Sequence, residues 1–222
     1  MSKTRQVAGG GRAVEVPPDR LEGWFDRFSM RNDGIRNTLL RPDEAVVTGG
    51  NGTTATAIIP FPPLRTVGNF NGLLVDPLIR HTQVPRQIGL LMVRLGGHSV
   101  GMSRNGRVLL SRTDRHQVHG RSAAGGWSQK RFARRREGQV RDALRAAADD
   151  AYEVLVPRVS EMDAVVVGGD RAALDELRRD VRLAPLFAIA DPRILDIPEP
   201  RRTVLDEAAE RAIAVEIILQ DG

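Results

Sequence analysis

The densest chemistry in the sequence lies between Arg121 and Arg145, in the stretch RSAAGGWSQKRFARRREGQVRDALR. Eight of its residues are cationic (Arg121, Lys130, Arg131, Arg134, Arg135, Arg136, Arg141 and Arg145), and only Glu137 and Asp142 oppose them. On a helix beginning near Ser128, Arg131, Arg134 and Arg135 share a face through i, i+3 and i+4 spacing. The start of such a helix adds unpaired N–H groups and the positive end of a dipole, both favourable to phosphate. This is chemistry for gripping a nucleic-acid backbone, with an affinity that falls as salt rises. A solvated helix face is the alternative for any charge run. The imbalance of sign and the pair Gly125-Gly126 just before the run favour binding. Paired glycines open main-chain conformations closed to other residues and allow close approach to a ligand. They also suit an ordinary flexible loop, and composition does not separate the two.

Other chemistry-bearing residues are weaker. His116 and His119 fall near a strand end and a loop, and together with His81 and His98 they lack a flanking carboxylate pattern for a metal, so no metal site is expected. Asp149-Asp150 on a long helix, and Glu161 with Asp163 near a strand start, are paired acids of a type that holds magnesium in nucleases. Helix-surface acids are the commoner explanation. Val167-Gly168-Gly169-Asp170 lacks the spacing of a dinucleotide fingerprint or a phosphate-loop lysine, and it reads as a structural turn with Asp170 capping a helix. Trp127, beside the glycine pair, suits either stacking on a nucleotide base or tucking the loop onto the domain.

Elements that would position these residues follow from periodicity. Ala13–Val16 reads as a strand, and Pro17-Pro18-Asp19 opens a helix with Leu21, Trp24, Phe25 and Phe28 on one face. Val46-Val47 and Thr54–Ile59 read as strands about the turn at residues 49–52. Between Leu64 and Pro85 only a short helix near Pro77–His81 is suggested. Residues 87–95, 99–103 and 107–115 predict three strands, with turns at Gly96-Gly97 and at Arg104-Asn105-Gly106, where Asn-Gly is a strong hairpin signal. His119–Trp127 is a loop. A long helix from Ser128 to about Leu155 carries Phe132, Val140, Leu144, Ala147 and Ala151 on one stripe. Strands at 164–167, 187–190 and 212–219 alternate with helices through Arg179 and over 201–211. This alternation predicts an α/β fold with a mixed, partly parallel sheet and helices on its faces. The expected organisation is a flexible tail over 1–12 and a single domain over 13–222, with an αβ extension at 13–85 and a core at 86–222.

Composition narrows the classes further. Hydrophobic residues make up 41% of the 222, enough for a packed core. Aromatics at 4% argue against a base-stacking platform of the single-strand-binding type. A net charge of +5 points to polyanionic partners. With no cysteine there is no disulfide, thiolate zinc site or cysteine nucleophile. No stretch has the length of a membrane span or the pattern of a signal peptide. A cytoplasmic protein without a cofactor is expected.

The order small-Gly-Gly, Ser-Gln, basic helix resembles the catalytic segment of the Vms-like release-factor family, related to the middle domain of eukaryotic and archaeal class-1 peptide-chain release factors. The resemblance runs to the actinobacterial branch, through Gly125-Gly126-Trp127-Ser128-Gln129 and the following RFARRREGQ at 131–139. Similarity in element order extends over roughly 87–219. The resemblance implies an RNase H-like release-factor middle domain. It also implies a peptidyl-tRNA hydrolase at the peptidyl-transferase centre of the large ribosomal subunit. Gln129 is then the counterpart of the release factors' essential glutamine. In those factors two glycines directly precede the glutamine, whereas here Trp127 and Ser128 intervene. The implied partners are the large subunit, rRNA and peptidyl-tRNA; separately, a monomer that does not bind membranes is expected.

Within that resemblance each group has a role. An amide does not titrate near neutral pH, so Gln129 would orient water, with its backbone N–H supporting the developing oxyanion or the departing ribose oxygen. Gly125 and Gly126 would let the loop enter a narrow RNA cavity, with Trp127 and Ser128 as further hinge and support residues. Arg121, Lys130, Arg131, Arg134, Arg135 and Arg136 would hold phosphates, which position without reading sequence. Chain length leaves no room for a codon-reading domain, so rescue or quality control of stalled or split ribosomes is expected rather than stop-codon termination. The alternatives are a tRNA endonuclease that removes the acceptor end, and a non-catalytic ribosome- or RNA-binding protein.

Overall fold

The computed structural model describes residues 4–6, 10–95, 97–115 and 127–222, with the main chain alone described at 4, at 115 and over 127–136. In chain order the strands are β1 (Thr4–Gln6), β2 (Arg12–Val16), β3 (Ile35–Leu40), β4 (Glu44–Gly49), β5 (Thr54–Ile58), β6 (Gly68–Asn71), β7 (Gln87–Arg94), β8 (Gly97–Arg104), β9 (Arg107–Arg115), β10 (Ala164–Gly169), β11 (Ala190–Leu195) and β12 (Val215–Gln220). The α-helices are α1 (Leu21–Arg31), α2 (Asp76–Gln83), α3 (Trp127–Val154), α4 (Arg171–Arg178), α5 (Ala184–Ala188) and α6 (Arg202–Ile213). They fall into two compact units, one of residues 1–85 with 213–222 and the other of residues 86–212.

The first unit is built on a seven-stranded antiparallel sheet in the order β1-β2-β12-β5-β4-β3-β6. Period-2 alternation places Ala45 and Val47, Ala55 and Ala57, and Val215 and Ile217 in its core. Small residues on β4 and β5 leave space for the large side chains of α1. Leu21, Phe25 and Phe28 are buried there, and Trp24 meets Phe25 edge-on and stacks on Phe28. Pro18–Arg20 form a 3-10 turn that starts this helix. Thr4–Gln6, inside the segment expected as a tail, pair with Arg12–Val14, and Arg5 forms an ion pair with Glu216.

The second unit holds a five-stranded mixed sheet in the order β11-β10-β7-β8-β9. Strand β10 runs parallel to both β7 and β11, while β7-β8-β9 is an antiparallel meander. The α/β class with a partly parallel sheet is therefore the observed one. Asn105 and Gly106, both at positive φ, make the β8–β9 turn that the Asn-Gly pair predicts. Of the other expected turn, Gly97 begins β8 and Gly96 lies outside the described residues. One face of the sheet, with Leu91, Val93, Val100, Met102, Val165 and Val167, packs against α3, α4 and α5. Gly101 faces the other side, and a Cβ there would meet Leu205 of α6 at 3.0 Å. Helices thus cover both faces.

Three local expectations change. The strand expected at 187–190 is helical through Ala188, and the strand is Ala190–Leu195. Asp191-Pro192 hides it, because proline is disfavoured in a ladder; β11 is a sheet edge, where proline is tolerated. Strand β3 was not anticipated because Arg36 and Asn37 interrupt its apolar pattern; buried Thr38 and Leu40 anchor it instead. Asp170 stands at the N-cap position of α4 but makes no capping bond. Its carboxylate accepts from Leu95 N at 3.1 Å and pairs with Arg94 at 3.2 Å. The preceding Gly169 has φ +108, and a Cβ there would lie 1.9 Å from Val93 O, so the strand-to-helix junction admits only glycine.

Candidate functional site

Helix α3 runs unbroken for 28 residues and carries most of the candidate site in its first turns. Trp127 opens it, one residue earlier than expected, and Ser128, Gln129, Lys130, Arg131, Arg134, Arg135 and Arg136 follow on the same helical main chain. Side chains over 127–136 are outside the described residues, and so are Arg121, Gly125, Gly126 and the loop with His116 and His119. Gln129 is the third described residue of the helix. Gln129 and the run of lysine and arginine residues therefore share one end of a single helix. That end suits a polyanion on physical grounds.

The opposite end of α3 is fixed to the sheet. Ala143, Ala147, Ala148, Ala151 and Val154 are buried, while Val140 and Leu144 are half-buried. These positions follow the stripe expected from the sequence. Alanine on this face lets the helix lie close to β8, and it is also the best helix former. Fully burying a side chain such as Val100 or Leu91 beneath it contributes on the order of 1.5–3 kcal/mol.

Polar groups reinforce this end. Asp150 accepts from Nε2 of His98 at 2.9 Å and from Nη1 of Arg112 at 2.8 Å. The same Arg112 nitrogen donates to Glu153 at 2.6 Å. His98 lies in β8 and is only 1% exposed. A carboxylate accepts only, so Nε2 of His98 carries the proton. Burial pushes the Asp150 carboxyl up, but the hydrogen bonds from Arg112 and His98 outweigh it and hold the group below the ordinary carboxylate value. The Arg112 guanidinium is raised, first by its bond to Asp150 and then by that to Glu153. Asp149 accepts from Arg182 at 2.8 Å, and Arg182 also grips Asp180 and lies over the Tyr152 ring.

These bonds assign several groups that the sequence left open. Asp149 and Asp150 are engaged by arginines and a histidine. Asp163 accepts from Gln87 N at 2.7 Å, and Glu161 lies 3.4 Å from the Gln87 amide, so both acids secure the start of β7. Among the described residues no group of three or more His, Cys, Asp or Glu is arranged to hold a metal. Arg141 and Arg145 are exposed on α3, with no ion pair to a described carboxylate. The sequence missed the cluster of His98, Asp150, Arg112 and Glu153. The one available signal was a histidine set within a buried strand opposite Val93.

Residues 86–218, more than half of the chain, match the family described as Actinobacteria/chloroflexi VLRF1 release factor. A peptide chain release factor subunit 1 from Thermococcus onnurineus (strain NA1) is 26% identical over 124 residues, covering 54% of this chain and 30% of the relative. The protein of the same description from Pyrococcus abyssi (strain GE5 / Orsay) is 27% identical over 117 residues, covering 51% and 28%. The chain thus matches less than a third of the length of these curated relatives. Among solved structures, an archaeal translation termination factor, aRF1, has a TM-score of 0.44 at 15% identity, covering 89% of this chain and 70% of that one. Dom34 of S. cerevisiae, a translation termination-like factor involved in RNA quality control pathways, has a TM-score of 0.34 at 8% identity, covering 92% and 65%. No helix among the described residues is long and apolar enough to cross a membrane.

Proposed function

This chain belongs to the Actinobacteria/chloroflexi VLRF1 release factor family, and from that premise we propose that it is a peptidyl-tRNA hydrolase that frees nascent peptides from stalled or split ribosomes. The observation that carries the reading is that Gln129 and its neighbouring cations occupy the first turns of one helix inside the family-matched region. In this reading Gln129 orients a water at the ester between peptide and tRNA. Its amide oxygen accepts from the water, and N–H groups at the helix start support the developing oxyanion or the departing ribose oxygen. Gly125 and Gly126 hinge the segment, with Trp127 and Ser128 supporting it. Arg121, Lys130, Arg131, Arg134, Arg135 and Arg136 hold phosphates of rRNA or of the tRNA acceptor end. The protein acts as a cytoplasmic monomer on the large ribosomal subunit. RNA supplies much of the catalytic environment, so the free protein is expected to be inactive on simple esters.

The test uses purified large subunits carrying peptidyl-tRNA. Wild type releases the peptide and leaves tRNA with an intact 3′ end. Gln129→Ala binds the subunit but releases at least about 10²-fold more slowly, the usual loss on removing one such preorganised group. Full release by Gln129→Ala would remove the glutamine from the mechanism. A shortened tRNA 3′ end would replace ester hydrolysis with nuclease action.

A further inference from the structure

We propose that Asp150, held by His98 and Arg112, is a positioning residue that sets the angle of α3 and hence the placement of Gln129. This rests on the reading of Gln129 given above. Among the described residues, the side-chain ion pairs and hydrogen bonds of α3 to the rest of its unit fall at Asp149, Asp150 and Glu153. The buried apolar face of the helix is made largely of alanine. Alanine permits close approach but has no long side chain to interdigitate, so packing alone resists rotation and tilt weakly. Directional bonds supply that resistance. Asp150 is the hub, because its two oxygens take separate donors from two adjacent strands, β8 and β9. His98 is buried, and a polar group in the core is costly unless its bonds are made, so the cluster favours one geometry.

Lever length makes this consequential. Gln129 lies about 31 Å of helix away from Asp150 at about 1.5 Å per residue. A tilt of about 2° at Asp150 therefore moves Gln129 by about 1 Å. Misplacement of a catalytic group by about 1 Å costs on the order of 10²-fold in rate. A small loosening of the clamp is thus expected in the rate of release rather than in subunit binding.

The experiment pairs a rate with a distance. The chain has no cysteine, so Glu137→Cys on α3 and Leu109→Cys on β9, both exposed, accept spin labels cleanly. The inter-label distance distribution is measured with and without Asp150→Asn. Release from large subunits carrying peptidyl-tRNA is followed in parallel at saturating protein and as a function of protein concentration. The expected result is a broadened or shifted distribution, a 10- to 100-fold lower saturating rate, and an unchanged half-saturating concentration. If Asp150→Asn does not fold, Arg112→Gln serves, with Arg112→Lys recovering much of the rate. An unmoved distribution, an unmoved saturating rate, or a defect confined to the half-saturating concentration would overturn the proposal. Gln129→Ala run beside it separates the two readings: if that variant is fully active while the clamp variant is loosened and slow, the glutamine assignment falls and the clamp stands.

Discussion

The two ends of α3 are made of different material. From Trp127 to Arg136 the helix carries five arginines and lysines in a run of ten residues with no acid. From Ala143 to Val154 it carries alanines, three acids and one exposed arginine, Arg145. Each acid of that second half is matched by an arginine or histidine from the same unit, whereas the first half has no acid within its own ten residues. The difference teaches a division of labour within one element. One end satisfies its electrostatics internally and gains a fixed position. On the proposed reading, the other offers its charge to an external polyanion.

The comparison is most sharply tested at Gln129. Gln129→Glu keeps size but replaces N–H donors with a charge repelled by RNA. It is expected to slow release by at least about 10²-fold without altering thermal stability, as a release assay beside a melting curve would read. Next is Arg134→Glu/Arg135→Glu/Arg136→Glu, which should weaken subunit binding by orders of magnitude. It should also lower the slope of log affinity against log salt by up to about 0.9 for each phosphate no longer neutralised. An unchanged slope would make the run a solvated surface. At the other end, Ala147→Leu overfills a buried position against β8 and should cost about 1–3 kcal/mol in chemical denaturation.

A smaller effect concerns pH. A carboxylate held below its ordinary value stabilises the folded state fully above about pH 4. That contribution disappears as pH falls through the folded-state value. Asp150 is such a group, so wild type should lose stability over this acid range more steeply than Asp150→Asn. Equal slopes would count against the bonds that Arg112 and His98 make to Asp150. Smallest of all, Arg145→Gln should reduce subunit affinity by severalfold at most, since it removes at most one phosphate partner, far from the helix start.

How much of this was legible in the sequence depends on range. Val140, Leu144, Ala147 and Ala151 repeat at helical spacing, so α3 was readable and its buried face with it. The meander β7–β9 was readable because Asn105-Gly106 announces its turn. Pro192 concealed β11, since a local rule excludes proline from strands and only the sheet order reveals an edge. The clamp was not legible at all: His98 and Asp150 are 52 residues apart, and Arg112 and Asp150 38. Neither spacing has a local pattern. The cations were legible as a local density of charge, while Gln129 was named through a family resemblance; the structure adds that Gln129, Lys130, Arg131 and Arg134 to Arg136 all lie on α3. The destination of β12 was equally hidden, because its antiparallel pairing with Val16 and Ile58 depends on partners far earlier in the chain.

That last strand carries a consequence for the order of events during synthesis. Strand β12 lies between β2 and β5 and joins the two parts of the seven-stranded sheet. Translation delivers residues 1–85 first, yet their sheet has a missing slat until residues 215–220 emerge, after all of residues 86–212. Of these two units the one begun first is therefore completed second, and the nascent chain carries two open strand edges, on β2 and β5, while it waits.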